Sequence, residues 1–113
     1  MNLKTLKYAV QDGIAVITFD EEGSPVNTMC LQWQDDLEAV AAQVAKDKDA
    51  IRGVILASAK STFFAGADLK GVMRMKPEDA TRVFVEIERI KKNFRTIETL
   101  GKPIVSLLNG TAL

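Results

Sequence analysis

Leu6, Tyr8 and Val10 alternate with polar or small neighbours, and Ile14 to Phe19 is a β-rich run. Asp12-Gly13 between them suits the positive backbone angles of a two-residue turn, so the pair predicts a β-hairpin with that dipeptide at its tip. Residues 20–28 read as a loop in which Asn27 or Thr28 caps the next helix. Met29, Trp33, Leu37, Val40 and Val44 recur at steps of four, four, three and four, which is one helical face, and predict a helix over 29–46. Ile51 to Ala59 is apolar on both faces through its centre. Such a run suits a strand buried between layers, and its place after a helix predicts a crossover with parallel pairing. Ala80, Val83, Phe84, Ile87, Ile90, Phe94 and Ile97 mark a second helix from Pro77 to about Leu100, where Gly101 and Pro103 stop it. About 23 residues at 1.5 Å each make it roughly 35 Å long. It is too long to bury its whole stripe on so few strands. Ile104 to Leu108 is the last strand, apolar on both faces, and Asn109-Gly110 turns out of it.

Between the buried strand and the second helix lies the least ordinary stretch, Ser61 to Lys70. Phe63 and Phe64 can anchor it in the core, while Ala65, Gly66 and Ala67 leave backbone amides uncovered by side chains. A glycine at position 66 takes a positive φ at little cost, and neighbouring N–H groups then converge on one point, as an oxyanion requires. Asp68 is placed to cap a short turn through Leu69 and Lys70. The same residues also make a plain strand-to-helix turn. Ligands of open α/β sheets bind beyond the carboxyl ends of parallel strands, and this loop follows one. Gly71 to Lys76, with Met73 and Met75, is either a flap presenting thioethers or core filler.

Composition narrows the classes. The chain has 113 residues, 47 % of them hydrophobic, enough for one real core. Fifteen basic side chains balance fifteen acidic ones, which argues against a surface made for nucleic acid or acidic membrane. No apolar run approaches the roughly 20 residues of a membrane span, and Met1 to Lys4 leads straight into the alternating pattern without a signal-peptide block. The chain has no histidine, so neither a His-based triad nor a His-containing zinc site is available within it. Cys30 is the lone cysteine, without an internal disulfide partner; it reads as a buried thiol in a reducing, cytoplasmic setting. Asp35 and Asp36 sit about 100° apart on their helix and read as a solvated acidic face rather than a catalytic pair. Glu88 with Lys92 reads as a surface i,i+4 pair.

Three stretches, in order, resemble the crotonase (enoyl-CoA hydratase/isomerase) superfamily. Phe64-Ala65-Gly66-Ala67-Asp68-Leu69 resembles its first active-site loop. Lys102 to Leu113 resembles the strand and turn that lead into a Gly-Gly-Gly segment, and Ser24-Pro25-Val26-Asn27-Thr28-Met29 resembles the hydratase part of multifunctional fatty-acid β-oxidation proteins. The resemblance implies an α/β fold, an incomplete crotonase-like ββα spiral of hairpin, helix, buried strand, long helix and strand, with residues 1–113 as the N-terminal portion of one hydratase-like domain. It implies an acyl-CoA thioester as substrate, its carbonyl held by two backbone amides. Ala67 matches the residue giving the first amide. Ala65, Gly66, Asp68 and Leu69 match positions along the CoA path, and Val26 matches the loop over the same ligand.

The resemblance also implies what to expect elsewhere. The second amide and the hydratase carboxylates fall past Leu113 in the family pattern, and none of Glu78, Asp79, Glu86 or Glu88 replaces them by motif. Hydration of 2-enoyl-CoA by this chain alone is therefore not expected. No cofactor is implied, NAD belonging only to a dehydrogenase part of a multifunctional parent. The absence of Gly-x-Gly-x-x-Gly weakens a dinucleotide reading. Another crotonase-type reaction, such as isomerisation, thioester hydrolysis or decarboxylation, and a non-catalytic self-associating module are the competing readings. The uncovered stripe of the second helix predicts a homo-oligomer or swapped assembly.

Overall fold

Alternation and turn chemistry produce the hairpin as predicted. In the computed structural model, which describes residues 1–113, strands β1 (Leu6–Gln11) and β2 (Ile14–Phe19) pair antiparallel from Leu6 opposite Phe19 to Gln11 opposite Ile14. Asp12 and Gly13 take φ of 51° and 77° at the tip. Helix α1 (Leu31–Lys46) crosses over to β3 (Gly53–Ser58), which runs parallel to β2. A short helix α2 (Leu69–Met73), a tight turn at Pro77–Asp79 and the long α3 (Ala80–Glu98) follow; β4 (Ile104–Ser106) closes the sheet parallel to β3. The sheet order is β1-β2-β3-β4.

One face of this sheet carries the core. Ala15, Ile17 and Phe19 point from β2 toward Trp33, Leu37, Val40 and Val44 of α1, joined by Leu6, Val54, Ile97 near the end of α3 and Leu100 just after it. The opposite face has no second layer. For that reason only Gly53 and Val54 of β3 are buried and its other four residues are half-buried, against the expectation of a strand enclosed on both sides. For the same reason β4 is shorter than Ile104–Leu108, and Val105 within it and Leu107 and Leu108 just after it are exposed at the sheet edge. Val10 on β1 is exposed too.

Four further readings are corrected by hydrogen bonds and ion pairs. Helix α1 starts at Leu31 rather than Met29, because Met29 is held in a parallel bridge beside Ala67, its amide donating to the Gly66 carbonyl (2.9 Å). Its cap is Cys30, which makes no side-chain capping bond and is half-buried. Asn27 is buried and ties loops together, its Nδ2 donating to Ser58 Oγ (3.0 Å) and the Phe63 carbonyl (3.1 Å). Thr28 donates to the Glu21 carboxylate through both N–H and hydroxyl. Asp36 is not solvated. At 3 % exposure its carboxylate accepts from Thr5 N–H, Thr5 Oγ1, Lys4 N–H and Gln32 Nε2, all at 2.7–2.8 Å. Asp35 alone faces water, paired with Arg89 of α3 at 2.8 Å. Glu88 pairs with Lys91, at i+3, rather than with Lys92 at i+4.

Helix α3 packs on α1 through its C-terminal half, with the Phe94 and Trp33 rings 6.0 Å apart and Ile97 buried. Toward its start Phe84, Val85 and Ile87 are exposed at 64, 58 and 50 %. The stripe is longer than the layer beneath it, as its length predicts. No helix is long and apolar enough to cross a membrane.

Candidate functional site

Phe64 is buried and Phe63 half-buried, and both fix the loop by edge-on contacts. The Phe63 and Phe64 rings lie 5.5 and 5.3 Å from Phe19, and Phe64 is 5.4 Å from Trp33. The backbone beyond them is held from both sides. Phe63 and Phe64 donate to the Thr111 carbonyl (2.9 and 3.2 Å), and Leu113 N–H donates to Phe64 (3.0 Å). On the opposite side Ala65 N–H donates to Asn27 (2.8 Å) and the Gly66 carbonyl accepts from Met29. Residues 27–29, 64–67 and 111–113 thus lie side by side in parallel, with bridges Met29 to Ala67 and Phe64 to Ala112.

Gly66 turns the chain at φ 91°, the left-handed region in which a side chain is strained. Past that turn the Ala67 amide donates to nothing inside the chain, and Ala67 is exposed. Asp68 then caps α2 as expected, its Oδ1 accepting from Lys70 N–H at 3.2 Å.

Ala67 and Asp68 enter the wall of a cleft of about 470 Å³ between the start of α1, α2 and α3. Ala65, Gly66 and Val26 stay outside that lining, Ala65 and Gly66 acting through the loop backbone, and Leu69 projects into solvent. The sequence pattern missed most of the remaining wall. Met29, Val83, Ile87 and Ile90 belong to stripes that read as core, and Gln34 sits on the flank of the α1 stripe. Val72 and Met75 also line the cleft while Met73 is 85 % exposed, so this segment is not core filler. Arg82 and Glu86 pair across one turn of α3 at 2.8 Å, and the Glu86 carboxylate holds the Arg82 guanidinium above its ordinary pKa. No three His, Cys, Asp or Glu side chains converge as metal ligands would.

An uncovered amide after a glycine turn, beyond the carboxyl end of a parallel strand, is the arrangement the sequence resemblance implies. The family model described as Enoyl-CoA hydratase/isomerase matches residues 9–113. The chain belongs to this family. It is 32 % identical over 102 residues to the fatty acid oxidation complex subunit alpha of Acinetobacter baumannii, and 29 % over 103 residues to that of Shewanella frigidimarina. Each match takes in 90 % of this chain and 14 % of the relative, so the chain spans about a seventh of their length. Among solved structures, an enoyl-CoA hydratase from Bacillus anthracis matches with a TM-score of 0.77 at 25 % identity, covering 94 % of this chain and 40 % of that one. An enoyl-CoA hydratase from Shewanella pealeana has the same fold, with a TM-score of 0.78 at 17 % identity over 95 % of this chain and 40 % of that one. The α/β architecture is therefore that of part of a crotonase fold.

Proposed function

We propose that these 113 residues are the acyl-CoA-binding, N-terminal portion of an enoyl-CoA hydratase domain of fatty-acid β-oxidation, working in the cytoplasm without a cofactor of its own. One observation carries the reading. The Ala67 N–H has no internal partner and stands at a cleft, in a loop pinned on both sides. A donor fixed in advance stabilises the charge that develops on a thioester oxygen as the acyl group becomes enolate-like, and one such donor is worth roughly a hundredfold or more in rate. Val26, Ala65, Gly66, Asp68 and Leu69 shape the path of the CoA moiety around it. Both carboxylates of the cleft are engaged already, Asp68 as a cap and Glu86 with Arg82. Neither is free to activate water, so the chain alone binds the thioester and does not hydrate it. The uncovered face of α3 is covered by a second copy, in an oligomer or a swapped arrangement.

The test removes the donor. Ala67→Pro deletes the N–H, whereas Ala67→Ser keeps it. Binding of a conjugated enoyl-CoA should shift the thioester absorbance to longer wavelength in the unmodified chain and in Ala67→Ser, and not in Ala67→Pro. An equal shift in all three would end the reading. Hydration turnover that tracks the polypeptide through purification would end the claim that it is inactive alone.

A further inference from the structure

A trans peptide is planar, so an N–H points opposite to the carbonyl of the residue before it. Every peptide bond in this chain is trans. The direction of the Ala67 N–H is therefore set by the Gly66 carbonyl, and that carbonyl is gripped by the Met29 N–H at 2.9 Å. One residue earlier the Ala65 N–H donates to the Asn27 carbonyl at 2.8 Å. The bend is thus held at two successive residues by one short segment, Asn27 to Met29. Gly66, at φ 91° and without a side chain, has the backbone freedom that makes such a grip necessary.

What holds the segment itself is the Asn27 side chain, 1 % exposed. Its Oδ1 accepts from the Glu21 N–H at 3.1 Å, and its Nδ2 donates to Ser58 Oγ at 3.0 Å and to the Phe63 carbonyl at 3.1 Å. Next to it the Glu21 carboxylate accepts from the Thr28 N–H and hydroxyl at 2.8 and 2.9 Å. Both ends of the buried amide are used, and they tie the segment to the loop it grips. An apolar side chain of the same size would fill the space without fixing a direction.

We infer that Asn27 is a positioning residue: it fixes residues 27–29 and, through the Met29 N–H, aims the Ala67 N–H before any ligand arrives. What that amide is aimed at rests on the acyl-CoA reading above; that it is aimed does not. A donor aligned in advance needs no reorganisation as charge develops, and a misplacement of about 1 Å costs on the order of a hundredfold in rate.

The test reads the amide first without ligand. Nitrogen-15 relaxation should give Ala67 an order parameter of about 0.85 in the unmodified chain, and below about 0.6 in Asn27→Ala and Asn27→Asp. Asn27→Asp keeps the shape and the acceptor but turns the donor into a second acceptor against the Phe63 carbonyl. An ester analogue that replaces only the Met29 N–H by oxygen should loosen Ala67 in the same way, and it keeps every side chain should the Asn27 variants not fold. Val44→Ala, a core change at the far end of α1, is the control for lost stability and should leave Ala67 ordered. Next, each chain is saturated with a conjugated enoyl-CoA. The long-wavelength shift of the bound thioester should shrink in the Asn27 variants and the ester analogue, and persist in Val44→Ala. Ala67 as ordered in the ester analogue as in the unmodified chain would overturn this inference alone. So would an equal loss of order in Val44→Ala, which would reduce Asn27 to a stabilising residue. Loss of order in the variants with no thioester shift in the unmodified chain would sink the acyl-CoA reading and leave the aiming of Ala67 in place.

Discussion

Asp36 lies three residues after Trp33 and four before Val40, on the inward side of α1, and is received by Lys4 and Thr5 ahead of β1 and by Gln32 one turn back on its own helix. Burial pushes its carboxyl upward, but the hydrogen bonds from Thr5, Gln32 and Lys4 outweigh that and hold it below the usual carboxylate range. A depressed folded pKa means that the unfolded chain takes up the proton first. The stabilisation is therefore complete above the unfolded value of about 4 and is lost as pH falls through the lower folded value. Asp36→Asn should cost about 2 to 3 kcal/mol at pH 7 in a urea melt. The gap between variant and parent should narrow below about pH 4, and a gap of the same size at pH 3 would contradict the assignment. The helical stripe already contained the clue, since position 36 falls within it, yet an adjacent acid drew the pair toward solvent. Thr5, 31 residues away in sequence, could not have been foreseen from spacing.

At the scale of elements, order and type followed from periodicity, and boundaries did not. Met29 fits the α1 stripe in every respect except where its amide goes, and that is decided by Gly66, far along the chain. Asn27 has the chemistry of a cap and instead ties its own loop to the end of β3 and to the loop that follows it. The turn at Gly66 and the Asp68 cap were legible, because a positive φ suits glycine and an aspartate suits the start of a helix. The cleft wall was not, since Val83, Ile87 and Ile90 look the same whether they face a core or a cavity. Two glycines test how tightly the loop is held. A Cβ at Gly110 would come within 2.7 Å of the Ser61 carbonyl, so backbone must move. Gly110→Ala should cost about 1 to 3 kcal/mol, the usual range for overpacking. At Gly66 the nearest atoms, in Leu113, stay 3.6 Å away, and only the positive φ resists a side chain. Gly66→Ala should cost about 1 to 2 kcal/mol. Thermal melts of the two variants against the parent would check both figures.

The whole molecule is a sheet covered on one side, with a long helix reaching past the layer it packs on. This imbalance was readable from counting, because one continuous stripe of seven apolar positions faced too few strands. The half-covered sheet was less so, since apolar residues on both sides of β3 and β4 predict a layer that this chain does not supply. Exposed Phe84, Val85 and Ile87 form the outer end of α3. Burying each such side chain is worth roughly 1.5 to 3 kcal/mol, enough to drive association at micromolar concentration once several are covered. Sedimentation velocity should give a weight-average coefficient that rises with concentration, and Phe84→Glu should return it toward the monomer value. A coefficient independent of concentration in the parent would leave the face without a role.

The stretch from Phe63 to Gly66 is moored at two places remote in sequence, Asn27 on one side and Thr111 on the other. Removing residues 111–113 would cast off one mooring and keep the second. Deuterium should then enter the Phe63 and Phe64 amides quickly while Ala65 remains slow, so that a single peptide bond marks where the bend stops being rigid.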